Sequence, residues 1–159
     1  MGSQAHLPAP RRIVASNLAL PDNGASRAHS EPGVEVVVDT LQPEPILGGS
    51  LVRARVATVK SVPTSNDGSG RIELDDVPGV GVVMPGGANI YYLDVAPNTE
   101  GTMHRTTSQD YLVVLQGTLS LLTPSDPFEV VDGRGTYGEL TETLCQPGEV
   151  VIQRGMIHA

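Results

Sequence analysis

An all-β fold, assembled from many short strands and no long helix, is what this chain of 159 residues predicts. Three observations carry that expectation. The 18 glycines and 13 prolines interrupt the chain too often for long helices. Short β-branched or alternating apolar runs recur at the spacing of about 8 to 12 residues that marks sandwiches and small barrels. No window of about 11 residues carries a 3.6-residue period, and no repeat of solenoid length occurs.

Taken in order, the elements begin in a polar arm, residues 1–33, whose one apolar stretch, Arg12 to Leu20, allows at most one strand. Pro21-Asp22-Asn23-Gly24 is a turn, and a Ser/Arg/His/Glu segment runs on to Pro32-Gly33. Residues 34–159 then form one domain. Glu35 to Thr40 is a β-branched run, and Gly49 to Ser61 alternates Arg53 and Arg55 with apolar residues, so both read as strands. A polar loop, Pro63 to Gly70, separates these from a Gly/Pro-rich stretch, Pro78 to Gly87, that must contain tight turns. Ile90 to Val95, Met103 to Thr106, and Tyr111 to Leu122 broken by Gly117 follow as strands. Pro124 to Thr143 is a hairpin-like excursion through Asp132-Gly133 and Tyr137-Gly138, and Gln146-Pro147-Gly148 turns into a last strand, Glu149 to Gln153.

Composition narrows the function. Ten basic against 18 acidic residues give a net charge of −8, which repels nucleic-acid phosphates and anionic membrane surfaces, so neither is an expected partner. Cys145 is the lone cysteine, which excludes an intrachain disulfide or a thiolate zinc cage and suits a reducing compartment. With no apolar run of about 20 residues and no apolar secretory core near Met1, a cytoplasmic location is expected. There is no Ser/His/Asp triad at recognisable spacing, and Met84-Pro85-Gly86-Gly87-Ala88 lacks the lysine of a phosphate loop.

The chemistry-bearing candidates lie toward the C-terminus. His6 and His29 fall in the arm and read as solvated, whereas His104 and His158 border strands. In an extended strand His104, Thr106 and Asp110 share one face. At about 3.3 Å per residue, His104 and Asp110 would stand about 20 Å apart, so cooperation requires Thr107-Ser108-Gln109 to bend, as these residues readily do. Leu112 and Val114 continue the inward face, yet the outward Tyr111, Val113 and Leu115 are apolar too. A strand facing water should not show this, so a second sheet or a second copy of the chain in a homodimer is expected to cover them.

The run from Pro97 to Gly117, with the later Pro147-Gly148-Glu149-Val150-Val151-Ile152-Gln153-Arg154-Gly155-Met156-Ile157-His158, resembles the two motifs of the cupin superfamily over about 60 of 159 residues. The first motif runs Gly, five residues, His-x-His, three or four residues, Glu, six residues, Gly. Here Asn98, His104, Thr106, Asp110 and Gly117 take those places, with Thr106 replacing the second histidine and Asp110 the glutamate. In the second motif, Pro-x-Gly-x-x-His, the places fall on Gln153, Gly155 and His158. The pattern is most similar to short single-domain cupins of fungal natural-product gene clusters.

The resemblance implies a cupin jelly-roll barrel over residues 34–159 that is cut short after Ala159, since the family continues beyond this histidine. It implies a small-molecule ligand inside the barrel, and tailoring of an oxygenated natural product by lyase or isomerase chemistry: decarboxylation, dehydration or a proton shift. A metal-dependent oxygenase or a non-catalytic binding protein is the alternative. Carried over residue by residue, His104, Asp110 and His158 become the ligands of one divalent ion, Fe, Mn, Ni or Zn. The Asp110 carboxylate, one methylene shorter than Glu, reaches about 1.5 Å less far.

Two other readings of these residues stay open. The histidines are either a hydrogen-bonded pair in a metal-free barrel or metal-free proton shuttles oriented by Asp110, since imidazole is the side chain that titrates near neutrality. Asp110 alone could cap the Thr107-Ser108 turn. Tyr91, Tyr92, Thr106, Gln153 and Arg154 are the substrate-binding candidates: one of the two tyrosines should face inward, and Arg154 either clamps a carboxylate or holds a loop. Arg105 is expected in a surface ion pair, Cys145 as a small core residue, and Lys60 as a poor Schiff-base nucleophile.

Overall fold

The computed structural model describes residues 9–20, 31–62 and 72–159, and among them it is all-β. Strands β1 (Arg11–Asn17), β2 (Val34–Thr40), β3 (Glu44–Ile46), β4 (Leu51–Val59) and β5 (Ala88–Val95) fall in the N-terminal part. Strands β6 (His104–Arg105), β7 (Gln109–Val113), β8 (Leu119–Pro124), β9 (Glu129–Val131), β10 (Arg134–Thr136), β11 (Leu140–Cys145), β12 (Val150–Arg154) and β13 (Ile157–His158) follow. The only helical element among the described residues is a 3-10 turn, Leu47–Gly49. His6, His29, the turn at 21–24 and the loop at 63–70 lie outside the described residues.

The chain divides into two compact units, Met1–Pro97 and Asn98–Ala159. In the first, β1 pairs antiparallel with β2 along its whole length, from Arg11 opposite Thr40 to Asn17 opposite Val34. The one strand allowed in the polar arm therefore exists and is part of a ribbon. A separate sheet has the order β3-β4-β5, with a bulge between Arg55 and Ala57. The short β3 was not legible because Pro45 sits at its centre. Proline cannot donate to a ladder, and β3 tolerates it as an edge strand. Arg12 binds the first sheet pair together and reaches the second. Its Nε and Nη2 meet the Asp39 carboxylate at 3.0 and 2.5 Å, and its Nη1 donates to the Val56 carbonyl at 2.9 Å. Leu41, Ala54, Thr58 and Met84 are buried in this unit.

The second unit is a set of nested antiparallel pairs. β9 pairs with β10, β8 with β11, β7 with β12, and β6 with β13. One long hairpin is thus folded upon itself. Its tip is the two-residue loop Asp132-Gly133, with φ of 49° and 75°, the left-handed pair that matches strand twist in a tight hairpin. The last residues are tied back to β8, because Leu122 and Ala159 exchange backbone hydrogen bonds of 2.9 and 3.1 Å. Val114, Cys145, Gln153 and His158 are buried here, so Cys145 is the small core residue that its type suggests.

Candidate functional site: a histidine pair in the second unit

β6 and β13 are only two residues each, and their register sets His104 directly opposite His158. Residues opposite one another in an antiparallel pair share a face, so the two imidazoles meet. Their ring centroids are 4.5 Å apart and the planes are tilted by 53°. His158 is buried at 7% exposure, while His104 is open to solvent. Nδ1 of His104 lies 2.8 Å from the Thr102 carbonyl, and Nδ1 of His158 lies 3.1 Å from the Met156 carbonyl. A carbonyl oxygen only accepts, so each Nδ1 carries the hydrogen. In the neutral form of each ring the lone pair is therefore on Nε2, where it can take a proton or bind an electrophile.

The expected bend is present at Thr107 and Ser108, with Gln109 already in β7. It lets Thr106 Oγ1 donate to Asp110 Oδ2 at 3.3 Å. Asp110 stands opposite Gln153, whose side chain is 5% exposed. Asp110, Leu112 and Val114 are covered, whereas Tyr111, at 66% exposure, and Val113 face outward, as strand alternation requires. Asp110 makes no bond to either imidazole. The two backbone carbonyls, and not the carboxylate, orient the rings.

This arrangement does not fit a three-ligand metal centre. Among the described residues no group of three His, Cys, Asp or Glu side chains could hold a metal ion. Of His104, Asp110 and His158, the two histidines meet each other, while Asp110 bonds to Thr106. Thr106, standing where the motif has an imidazole, is a hydroxyl donor and bonds to Oδ2 of Asp110.

Other candidates are placed elsewhere. Arg154 lies beside Gln153 in β12 and is exposed on the opposite face, away from the Asp110 side. Tyr91 and Tyr92 belong to the first unit. Tyr91 is half-buried beneath Arg53, whose guanidinium carbon is 5.8 Å from the ring centroid, and Tyr92 is exposed. Arg105 donates from Nη1 to the Gly155 carbonyl at 2.9 Å instead of forming the expected ion pair. Lys60 pairs with Asp75 at 2.7 Å, and that hydrogen bond raises its pKa above the usual lysine value, so its amine stays protonated and non-nucleophilic.

Sequence reasoning missed Ser108, whose Oγ is buried without a partner, and a shallow apolar groove of about 500 Å³ lined by residues including Leu121, Cys145, Val150 and Ile152. The strand alternation of Val150 and Ile152 was the available signal for the groove.

No protein-family model matches the chain. Curated proteins do resemble it. Phomopsin biosynthesis cluster protein D of Diaporthe leptostromiformis is 37% identical over 78 residues, which is 49% of this chain and 34% of that protein. Phomopsin biosynthesis cluster protein C' of the same fungus has the same identity and coverage. Oryzines biosynthesis cluster protein J of Aspergillus oryzae is 36% identical over 76 residues, 48% of this chain and 35% of that protein. The matched region thus spans about a third of the length of these relatives. No helix among the described residues is long and apolar enough to cross a membrane.

Proposed function

We propose that the chain is a cupin-type tailoring enzyme that acts on a small oxygenated natural product by lyase or isomerase chemistry. The observation that carries this reading is the imidazole pair: two rings 4.5 Å apart, each fixed through Nδ1 and each presenting a free Nε2. Such a pair supplies a base and, after proton uptake, an acid. One Nε2 removes a proton from carbon beside a carbonyl, and the electron pair of that C–H bond becomes a new double bond. The proton is then returned to another carbon, as in isomerisation, or to a departing hydroxyl that leaves as water, as in dehydration. Thr106, ahead of the bend, and Asp110 and Gln153, on the β7–β12 pair, offer polar anchors. No step is routed through a metal.

The nested strand pairs of the second unit are the folding pattern from which a jelly roll is wound, which supports the cupin reading of that part of the chain. The names of the fungal cluster relatives support a place in secondary metabolism. The exposed apolar face of β7–β12, with Tyr111, Val113, Val150 and Ile152, supports a homodimer. Sedimentation of the wild type at twice the chain mass, and of Val113→Asp at the chain mass, is expected. A wild-type monomer at micromolar concentration removes the dimer.

The catalytic reading is tested by incubating the protein in D2O with a panel of β-hydroxy and 1,3-dicarbonyl acids and following deuterium uptake by mass spectrometry. Uptake or loss of water that vanishes in both His104→Asn and His158→Asn is expected. Binding of these compounds with no exchange in the wild type would leave a binding module and overturn the enzyme.

A further inference from the structure

We infer that Arg55, in the first unit, is an anchor for the carboxylate of a small organic acid. The residues that build it lie on one face of the β3-β4-β5 sheet. Glu44 is opposite Arg53, and Arg55 is opposite Tyr91. Arg53 is fully engaged. Its Nε and Nη2 meet Glu44 Oε1 at 2.8 and 2.7 Å, its Nη1 donates to the Gly81 carbonyl at 2.8 Å, and its plane lies over Tyr91. Glu44 therefore has its charge matched by Arg53 alone.

Arg55 adds a second guanidinium to the same oxygen, with Nε 3.4 Å from Glu44 Oε1. Two cations thus face one carboxylate, and one positive charge is left over. Among the described residues the Nη1 and Nη2 groups of Arg55 have no acceptor. Its side chain is 33% exposed, so a ligand in solution can reach it. The adjacent bulge between Arg55 and Ala57 is the kind of ladder break that re-aims a side chain beside a site.

Fork geometry selects the ligand class. A guanidinium held at Nε and open at both Nη atoms presents two parallel donors, the match for a planar carboxylate. In a chain of net charge −8, an unneutralised and half-buried guanidinium is a local exception to the general repulsion of anions. The inference stands apart from the histidine pair and does not need that reading to hold.

The test uses the full chain labelled with 15N, titrated with benzoate and with benzamide as its neutral isostere, while the arginine Nε–H signals are followed by NMR. Benzoate is expected to shift the signal that Arg55→Gln removes, saturably, and benzamide is not. Arg55→Gln should weaken benzoate about tenfold or more, the loss of one charge-assisted bidentate contact. Arg55→Lys keeps the charge without the fork and should weaken it less. Glu44→Gln should strengthen it roughly threefold, because a competing carboxylate is neutralised. Equal responses to benzoate and benzamide, or unchanged benzoate affinity in Arg55→Gln, overturns the inference. Should Arg55→Gln fail to fold, the opposite signs expected for Arg55→Lys and Glu44→Gln decide it, and a loss of affinity in Glu44→Gln counts against it.

Discussion

The two units use polar side chains in opposite ways. In the first, most charges meet one another, Arg12 with Asp39, Arg53 with Glu44 and Lys60 with Asp75, while Arg55 shares the Glu44 oxygen already taken by Arg53. In the second, no ion pair forms among the described residues. Its polar groups are imidazoles bonded to carbonyls, a Thr106–Asp110 contact, a buried Gln153, and a Ser108 hydroxyl with no partner. Of these pairs Arg12–Asp39 is the one largely withdrawn from water, so removing either member leaves the other in a poor solvent. Groups whose lone pairs and protons are not consumed by the protein remain available to a ligand. The contrast is that between a unit held by ion pairs, with Arg55 as its exception, and a unit held without them.

The sharpest way to break this contrast is His158→Asn. The amide keeps the approximate size of the ring and loses the basic lone pair, so the second unit should stay folded while turnover falls by about 10² to 10⁴-fold, the usual worth of a positioned proton carrier. Turnover in D2O, measured beside a circular-dichroism melt, checks both halves. A melt collapse would instead make His158 a structural residue.

Arg12→Ala addresses the first unit. The Arg12 and Asp39 side chains are only 11% and 15% exposed, so the variant removes a nearly buried ion pair and a donor to the Val56 carbonyl. A loss of about 3 kcal/mol in urea-unfolding stability is expected. A loss below about 1 kcal/mol would place this pair with ordinary surface bridges and erase the distinction.

Two glycines sharpen the comparison at smaller cost. A Cβ at Gly87 would fall on the Val59 backbone carbonyl, which cannot turn aside, so Gly87→Ala should cost about 1 to 3 kcal/mol through a displaced β4–β5 pairing. In the second unit a Cβ at Gly135 would meet the Tyr137 ring, which packs edge-on against Phe128 at 4.8 Å. A side chain can rotate away, so Gly135→Ala should cost less, about 1 kcal/mol, chiefly the lost aromatic contact. Thermal denaturation of the two variants side by side gives the order, and a reversed order contradicts it.

Much of the strand layout was legible. Val36, Val37 and Val38 announce β2, the alternation about Arg53 and Arg55 announces β4, and Asp132-Gly133 announces the β9–β10 hairpin. The bend at Thr107 and Ser108 follows from requiring His104 and Asp110 to approach, and it is there. The partnership of His104 with His158 came from motif resemblance, because no local rule links residues so far apart in the chain. The same resemblance sets Asp110 beside the two histidines, and in the structure its carboxylate accepts from Thr106. The arginine clusters were invisible beforehand: a strand of alternating Arg and Val reads the same whether its arginines are paired, stacked or free.

What the sequence by itself determined is therefore local. Backbone sterics restrict β-branched runs to extended conformations, Gly and Pro end them, and side chains alternate by face, all within a few residues. What only the tertiary structure decided is which groups meet and which are left open. That includes which ring nitrogen of each histidine is tied to a carbonyl, which carboxylate Arg12 finds at Asp39, and which guanidinium edge on Arg55 stays unmatched. The reason is physical: hydrogen bonds and ion pairs require donors and acceptors within about 3 Å. Strand register between distant segments, and not neighbouring residues, sets those separations.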